Sequence, residues 1–362
     1  MSQKTQLARF TRWQEWVPRT FALIWPLSLY FAVAYNIPAG AFALTFMVFT
    51  VFACSQAAFA YLLNDWGDRA LDRRQFKANA FNGLSPLEST LALTLLVVIA
   101  LIAGIPLLPR TGFALLWLTW LVAAVSLYIE PLRLKGRGAA GLVVSAVAQG
   151  FLPVLMGFAI FQVAGGMDMW ILALGFMLHV LAREFGHQRD RRTRNIATKV
   201  GTFATGLANS QIDRLYSVFL FVDKLAIGAI SIVAAHAISR LLLPVTFYLA
   251  LAPIVLFSIL YFSLLKGALA SMEGEQVEDP YFTLNHPASV LLHQYHLDFI
   301  LPAILGLTAM LLSPFYTLFL GLFIAGRVLL VGFELQFPAY SLSWARQVIR
   351  RRSEQDRREA GD

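Results

Sequence analysis

Apolar residues in this chain come in long uninterrupted blocks, without the spacing of a half-buried helix or strand. Residues 89–109, 111–129, 139–167, 241–265 and 299–326 contain no charged side chain. Each is close to or above the roughly 20 residues that a helix needs to cross a bilayer. Cutting the chain at its polar breaks predicts spans near 21–36, 40–63, 88–108, 112–129, 139–163, 168–184, 217–238, 242–265, 299–313 and 315–334. The count is ten, or nine if Pro314 kinks one long helix instead of marking a turn. The expected fold is all-α: a polytopic transmembrane bundle forming a single domain over 1–362, with a core at 20–265, extra helices at 299–334 and a basic tail at 335–362.

Composition agrees with this reading. The chain is 58% hydrophobic and only 14% charged, where soluble domains run nearer about a quarter charged. That balance excludes a nucleic-acid-binding module or a disulfide-rich secreted domain. The one cysteine, Cys54, lies in an apolar run and has no second cysteine to pair with. Residues 1–20 lack the compact apolar core of a signal peptide and read as a basic, aromatic lead-in to the first span.

The net charge of +8 becomes informative once it is sorted by side. With the N-terminus inside, 25 of the 29 lysines and arginines fall on the cytoplasmic face, as the positive-inside rule requires. The location expected from this is an integral, multi-pass protein of a bacterial inner membrane, whose arginine-rich tail touches anionic membrane lipid.

Two clusters on that face carry chemistry. At the end of the second span, Asn64, Asp68 and Asp72 are four residues apart, so a helix places them on one face. Three oxygen-bearing side chains at a helix C-terminus run against the dipole unless a cation offsets them. The set suits Mg²⁺ held by carboxylates together with substrate phosphates. The bland reading is a solvated helix end with Arg69, Arg73 and Arg74 as neighbours. The second cluster, after the fourth span, is Tyr128-Ile129-Glu130-Pro131-Leu132-Arg133-Leu134-Lys135-Gly136-Arg137-Gly138. Its bland reading is a set of orientation-setting positive charges.

The stretch Asn64-Asp65-Trp66-Gly67-Asp68-Arg69-Ala70-Leu71-Asp72 resembles the first aspartate-rich motif, N-D-x-x-D-x-x-x-D, of the UbiA superfamily of intramembrane prenyltransferases. The 128–138 segment is similar to that family's Y-S-x-P-L-R-L-K-R-R-G loop. The resemblance covers roughly 20–265 and implies transfer of a prenyl group from a prenyl diphosphate to an acceptor it does not identify. By that carry-over Asn64, Asp68 and Asp72 hold Mg²⁺ with Asp65 in support. Arg133, Lys135 and Arg137 neutralise the leaving diphosphate, and Tyr128 lies near the allylic carbon. The alternative is a non-catalytic relative that binds an isoprenoid lipid or scaffolds a membrane complex.

The chain departs from that pattern in two places. Where the family has N-R-P-L-x-x-G, this chain has Asn79-Ala80-Phe81-Asn82-Gly83-Leu84, and Lys77, Arg73 and Arg74 are the candidates to restore the lost charge. Where the family has a second D-x-x-D-x-x-x-D seven residues before a Thr, counting back from Thr198 gives Glu184, His187 and Arg191, with Asp190 one residue out of register. On a helix Asp190 points about 120° from Glu184, unless the helix ends near Gly186 and lets it swing inward. Three readings stand: a weaker second Mg²⁺ site of Glu184 and Asp190; fixed positive charge from His187, Arg189 and Arg191 in place of that metal; or a lost reaction.

Further candidates are weaker. Asp223 and Lys224 stand inside the seventh span, where ionisable groups are costly and face the bundle interior. They read as a neutralising pair or as cavity lining. Arg327 and Glu334 in the last span read as structural, and the acidic loop 266–298 with His293 and His296 reads as a cap over a cavity mouth.

Overall fold

The longest described helix does more than cross a membrane. In the computed structural model, α2 (Ala39–Arg74) runs 36 residues without a break. At 1.5 Å per residue that is about 54 Å, against a hydrocarbon core of about 30 Å. Its polar end, 64–74, therefore projects beyond the apolar stretch and carries the acidic cluster out of it. The structure describes residues 13–74, 79–198, 200–241 and 291–330.

The described residues are helical, with no strand among them. Around α2 lie α1 (Trp13–Ala34), α3 (Pro86–Gly104), α4 (Phe113–Tyr128), α5 (Ala139–Phe161), α6 (Met167–Asp190), the short α7 (Arg192–Ala197) and α8 (Asn209–Leu241). After these come a π-helical turn at Leu291–Ile300, α9 (Leu301–Leu312) and α10 (Tyr316–Leu330). Among the described residues, five helices are long and apolar enough to span a membrane: α2, α3, α5, α6 and α8. Shorter apolar helices occupy 20–34, 113–128, 296–312 and 316–329. The expected eighth span, 242–265, lies outside the described residues, as do Glu334 and most of the 266–298 loop.

The chain divides into two compact units, Met1–Ala237 and Ile238–Asp362. In the second, α9 ends at Leu312, Ser313 is extended, and the Tyr316 N–H bonds back to the Ser313 carbonyl at 3.0 Å. Pro314 is thus part of a turn in a helical hairpin, and the bent single helix is not formed.

In the first unit the core is aromatic. Phe31 meets Phe158 at 4.7 Å and Phe161 at 4.9 Å between ring centroids, and Trp25 meets Phe46 at 4.6 Å, tying α1 to α5 and α2. Outward positions such as Leu44, Leu95, Leu115 and Leu118 are exposed and apolar, as a lipid-facing surface requires. Helix α3 buries only Ser89, Ala100 and Gly104. A capping box between Ser85 and Glu88 fixes its start.

Two polar locks hold α6. Near its start the Tyr30 and Tyr35 hydroxyls donate to Asp168 at 2.6 and 2.8 Å. Further along, buried His179 Nδ1 lies 2.6 Å from Asp223 of α8, whose other oxygen accepts from Lys224 at 2.8 Å. Asp223 and Lys224 thus form the neutralising pair, with His179 as a third member that the sequence did not single out.

Glycines let three segments close on one another. A Cβ on Gly67 would sit 2.2 Å from the Tyr128 carbonyl oxygen, and one on Gly141 would sit 2.1 Å from that of Leu134. Bare backbone is the only fit at these crossings. Gly67→Ala is expected to lower the thermal unfolding midpoint of the purified protein, since overpacking costs about 1–3 kcal/mol. Gly40→Ala, with nothing within 4 Å of the added carbon, is the control and should hold or raise the midpoint. Equal midpoints for the two variants would contradict the close packing.

Candidate active site

The acidic end of α2 is built from side chains with two different jobs. Asp65 is fully buried and faces the 79–84 loop: its carboxylate accepts from the Ala80 N–H at 2.9 Å, and its carbonyl accepts from the Asn79 amide at 2.8 Å. Asn79 also donates to Asp72 at 2.8 Å, and Arg69 donates to the Leu84 carbonyl at 3.0 Å. Phe81, fully buried, packs edge-on against Trp66 at 5.4 Å. The loop that lost its Arg and Pro is thereby folded back on α2. Asp65 serves this anchoring and does not line the cavity; Asn64, Asp68 and Asp72 do.

The second job falls to Asp68. Its carboxylate is bridged by Arg133 at 2.9 Å and Lys135 at 2.6 Å. Asp68 lies past the apolar stretch of α2. There burial, which alone would raise the carboxyl, is outweighed by Lys135 and Arg133, which hold it below the ordinary carboxylate range. The like-sign problem of acids at a helix C-terminus is solved by cations from another segment.

That segment starts at Tyr128, the end of α4. Arg133 adopts a left-handed backbone with φ 34°, a conformation that costs non-glycine residues about 1–3 kcal/mol and clusters at functional sites. The Arg133 N–H donates to the Ile129 carbonyl at 2.9 Å, the Arg133 carbonyl accepts from the Gly136 N–H at 3.1 Å, and the side chain pairs with Asp68. Lys135 passes 5.7 Å from the centre of the Tyr128 ring. Its ammonium also donates to the side-chain amide oxygen of Asn64. Arg137 turns back to the Pro131 carbonyl yet still lines the cavity. Lys77 lies outside the described residues, and of the two arginines beside it Arg74 reaches the cavity wall.

The third wall is the end of α6 with α7. Glu184, His187, Gln188, Arg191 and Arg194 line the cavity there, with Asn195 and Thr198. Helix α6 does not stop at Gly186 but continues to Asp190. The helical period is therefore kept, and Asp190 is exposed and absent from the cavity wall. Arg189 is also turned away: it pairs with Asp213 at 3.4 Å and stacks over Tyr216 at 4.4 Å. Arg192 pins the following turn through the carbonyls of Ala204 and Leu207 and the side chain of Asn209. A single parallel bridge between Gly138 and Thr202 joins this wall to the Arg133–Arg137 loop.

The three walls enclose a cavity of about 840 Å³. Its deep part is apolar, formed by Ile24, Phe49, Phe52, Trp120 and Met156, with Ala53, Ala57 and Ala60 leaving space along α2. Gln56, Ser145 and Gln149 also face it. Sequence reasoning missed all three because isolated polar residues in apolar blocks carry no pattern, although Gln149 sits in a π-helical turn at 147–151, a feature frequent at functional sites. Asp223 is not part of the wall.

The donor set fits a hard divalent cation. Lys135 Nζ reaches Asn64 Oδ1 and Asp68 Oδ2 together, so a positive group already stands where those oxygens converge. Among the described residues no group of three or more His, Cys, Asp or Glu side chains converges as a complete ligand set. An ion here would need ligands from elsewhere, as Mg²⁺ takes from phosphates and water.

Searches with family models find no match, and neither do searches of curated sequences. Solved structures do match. A UbiA homolog from Archaeoglobus fulgidus superposes with a TM-score of 0.53 at 10% identity, covering 87% of this chain and 99% of that one. The chain has a UbiA-type fold. The same homolog bound to GPP and Mg²⁺ matches at TM-score 0.53 and 14% identity over 82% of this chain and 99% of its own. Bound to DMAPP and Mg²⁺, it matches at 0.53 and 12% over 83% and 99%. With this fold and its five long apolar helices, the protein is an integral membrane protein.

Because Lys135 stands where the Asn64 and Asp68 oxygens converge, removing its charge should favour divalent ions there. Lys135→Met is expected to bind Mn²⁺ about threefold to fivefold tighter in the absence of any diphosphate, the scale of a half-exposed ion pair. Electron paramagnetic resonance titration reads this directly, and unchanged or weaker binding would count against the placement.

Proposed function

We propose that the protein is a Mg²⁺-dependent prenyltransferase that moves a prenyl group from a prenyl diphosphate to an acceptor. The observation that carries this reading is the cavity itself: apolar in depth, with carboxylate and amide oxygens on one side of its mouth and guanidinium and ammonium groups on the others. The prenyl tail lies along the alanine face of α2, and the diphosphate sits at the mouth. Bound Mg²⁺, held by Asn64, Asp68 and Asp72, supplies positive charge against the diphosphate oxygens. As the bond between the allylic carbon and the diphosphate oxygen breaks, its electron pair leaves with the diphosphate. Lys135, Arg133 and Arg137 stabilise that growing charge. The Tyr128 ring faces the electron-poor carbon, which the acceptor then attacks, losing a proton. The apolar walls keep water from the same carbon.

The mouth is assigned to the cytoplasmic face, with the N-terminus inside and ten crossings. This rests on 25 of 29 basic residues falling on that side. The off-cavity position of Asp190 favours one other reading, a UbiA-like protein that binds an isoprenoid diphosphate without turnover.

Purified protein titrated with labelled prenyl diphosphates of several lengths should show Mg²⁺-dependent binding of at least one. Asp68→Asn and Asp72→Asn should each weaken it at least about tenfold, the loss of one charge-assisted contact. No Mg²⁺-dependent binding at any length would sink the assignment; binding without product would move it to the non-catalytic reading. For topology, Cys54→Ser with Glu130→Cys, a position 71% exposed, should react with an impermeant maleimide only when the cytoplasmic face is open. Labelling of sealed cells from outside would reverse the orientation.

A further inference from the structure

The walls of the cavity are not equivalent in charge, and the difference bears on how a diphosphate is held. On the α2 wall, Asn64, Asp68 and Asp72 offer two carboxylates and an amide oxygen along one helical face. On the α6–α7 wall, the lining groups include one carboxylate, Glu184, against two guanidinium groups, Arg191 and Arg194, together with the His187 imidazole. Asp190, the only other acid of that stretch, is exposed on another face of a helix that does not bend to bring it round. Arg189 and Arg192 are engaged by Asp213, Tyr216 and the 204–209 turn. Arg191 and Arg194 are the arginines of this stretch that reach the cavity.

Mg²⁺ gives up its water reluctantly and needs hard oxygen donors. A wall with one carboxylate and two guanidinium groups offers it fewer anionic oxygens than the α2 wall, where two carboxylates and an amide oxygen share a helical face. Guanidinium groups are, however, well matched to phosphate, which they grip through paired N–H donors. The bridge from Gly138 to Thr202 joins this wall to the loop carrying Arg133, Lys135 and Arg137, and the five cations line the same cavity.

We propose that the site takes a single divalent cation, on the α2 wall, and that Arg191 and Arg194 grip the diphosphate directly where a second cation would otherwise be needed. This rests on the prenyl-diphosphate reading above. Its consequence is that diphosphate binding has two separable supports, one that chelation removes and one that it does not.

The test is a count of metal ions. Full-length protein is loaded with an unreactive prenyl thiodiphosphate and titrated with Mn²⁺, with electron paramagnetic resonance as the readout. The expected result is one Mn²⁺ per chain with the spectrum of an isolated ion; two per chain, or a spin-coupled pair, overturns the proposal. Arg191→Met with Arg194→Met should weaken analogue binding at least tenfold while the count stays at one. Arg191→Lys with Arg194→Lys should recover part of that loss, which separates charge from misfolding. Wild-type affinity in the double methionine variant overturns the direct grip. Failure of the analogue to bind with or without metal overturns the prenyl-diphosphate reading and this proposal together, whereas binding with two ions overturns only the single-cation arrangement.

Discussion

A carboxylate with 7% side-chain exposure, held between an ammonium and a guanidinium, ties the site together. Asp68 is the point where α2 and the loop after α4 meet. An acid at that depth needs opposite charge close by, and the two groups that supply it come from a segment about 65 residues further along the chain. The segment can reach because Gly67 admits the Tyr128 carbonyl, and its left-handed Arg133 is fixed by backbone bonds to Ile129 and Gly136 while its side chain meets Asp68. One constraint therefore sets the loop conformation, the helix crossing and the position of the charges that would meet a leaving group.

Asp65 and Asp72 extend the same logic to the neighbouring loop. Acids on one helix end take different partners, so a cluster that looks like a single ligand set divides into anchor and wall. Asp65 holds the 79–84 turn through backbone bonds, while Asp72 shares Asn79 with it and still lines the cavity. Buried polar groups are retained where they find hydrogen-bond partners, and Asp65, Asp72 and Asn79 find them in this turn without the Arg and Pro of the similar family motif.

Much of this was legible in the sequence. Uncharged blocks of spanning length gave the helices, and a spacing of four gave the shared face of Asn64, Asp68 and Asp72, because both follow from a fixed helical period. The same period placed Asp190 off the face of Glu184, and only the freedom allowed to a helix end at Gly186 left that open. What stayed hidden depended on side-chain direction in three dimensions. Arg189, Arg191, Arg192 and Arg194 are alike in sequence, yet two serve the protein's own turns and two line the cavity. His179 was invisible because its partner, Asp223, lies 44 residues away on another helix. Gln56 was invisible for the same reason, its amide donating to the Ala100 carbonyl and its oxygen accepting from Trp117.

Those buried amides bear on what the cavity can hold. In a bundle surrounded by lipid, an unpaired polar group facing an apolar tail would be costly. Gln56 spends its hydrogen bonds on α3 and α4, Gln149 donates to Ser145 at 2.7 Å, and the Trp120 indole donates to the Ala148 carbonyl at 2.9 Å. With those demands met inside the wall, the deep cavity presents mostly hydrocarbon despite its polar residues. The charges are confined to the mouth, where α2, the 128–138 loop and the α6–α7 turn converge. A ligand with an apolar tail and an anionic head satisfies both regions at once, whereas a wholly polar ligand would leave the depth unfilled and a wholly apolar one would leave the cationic rim facing only water.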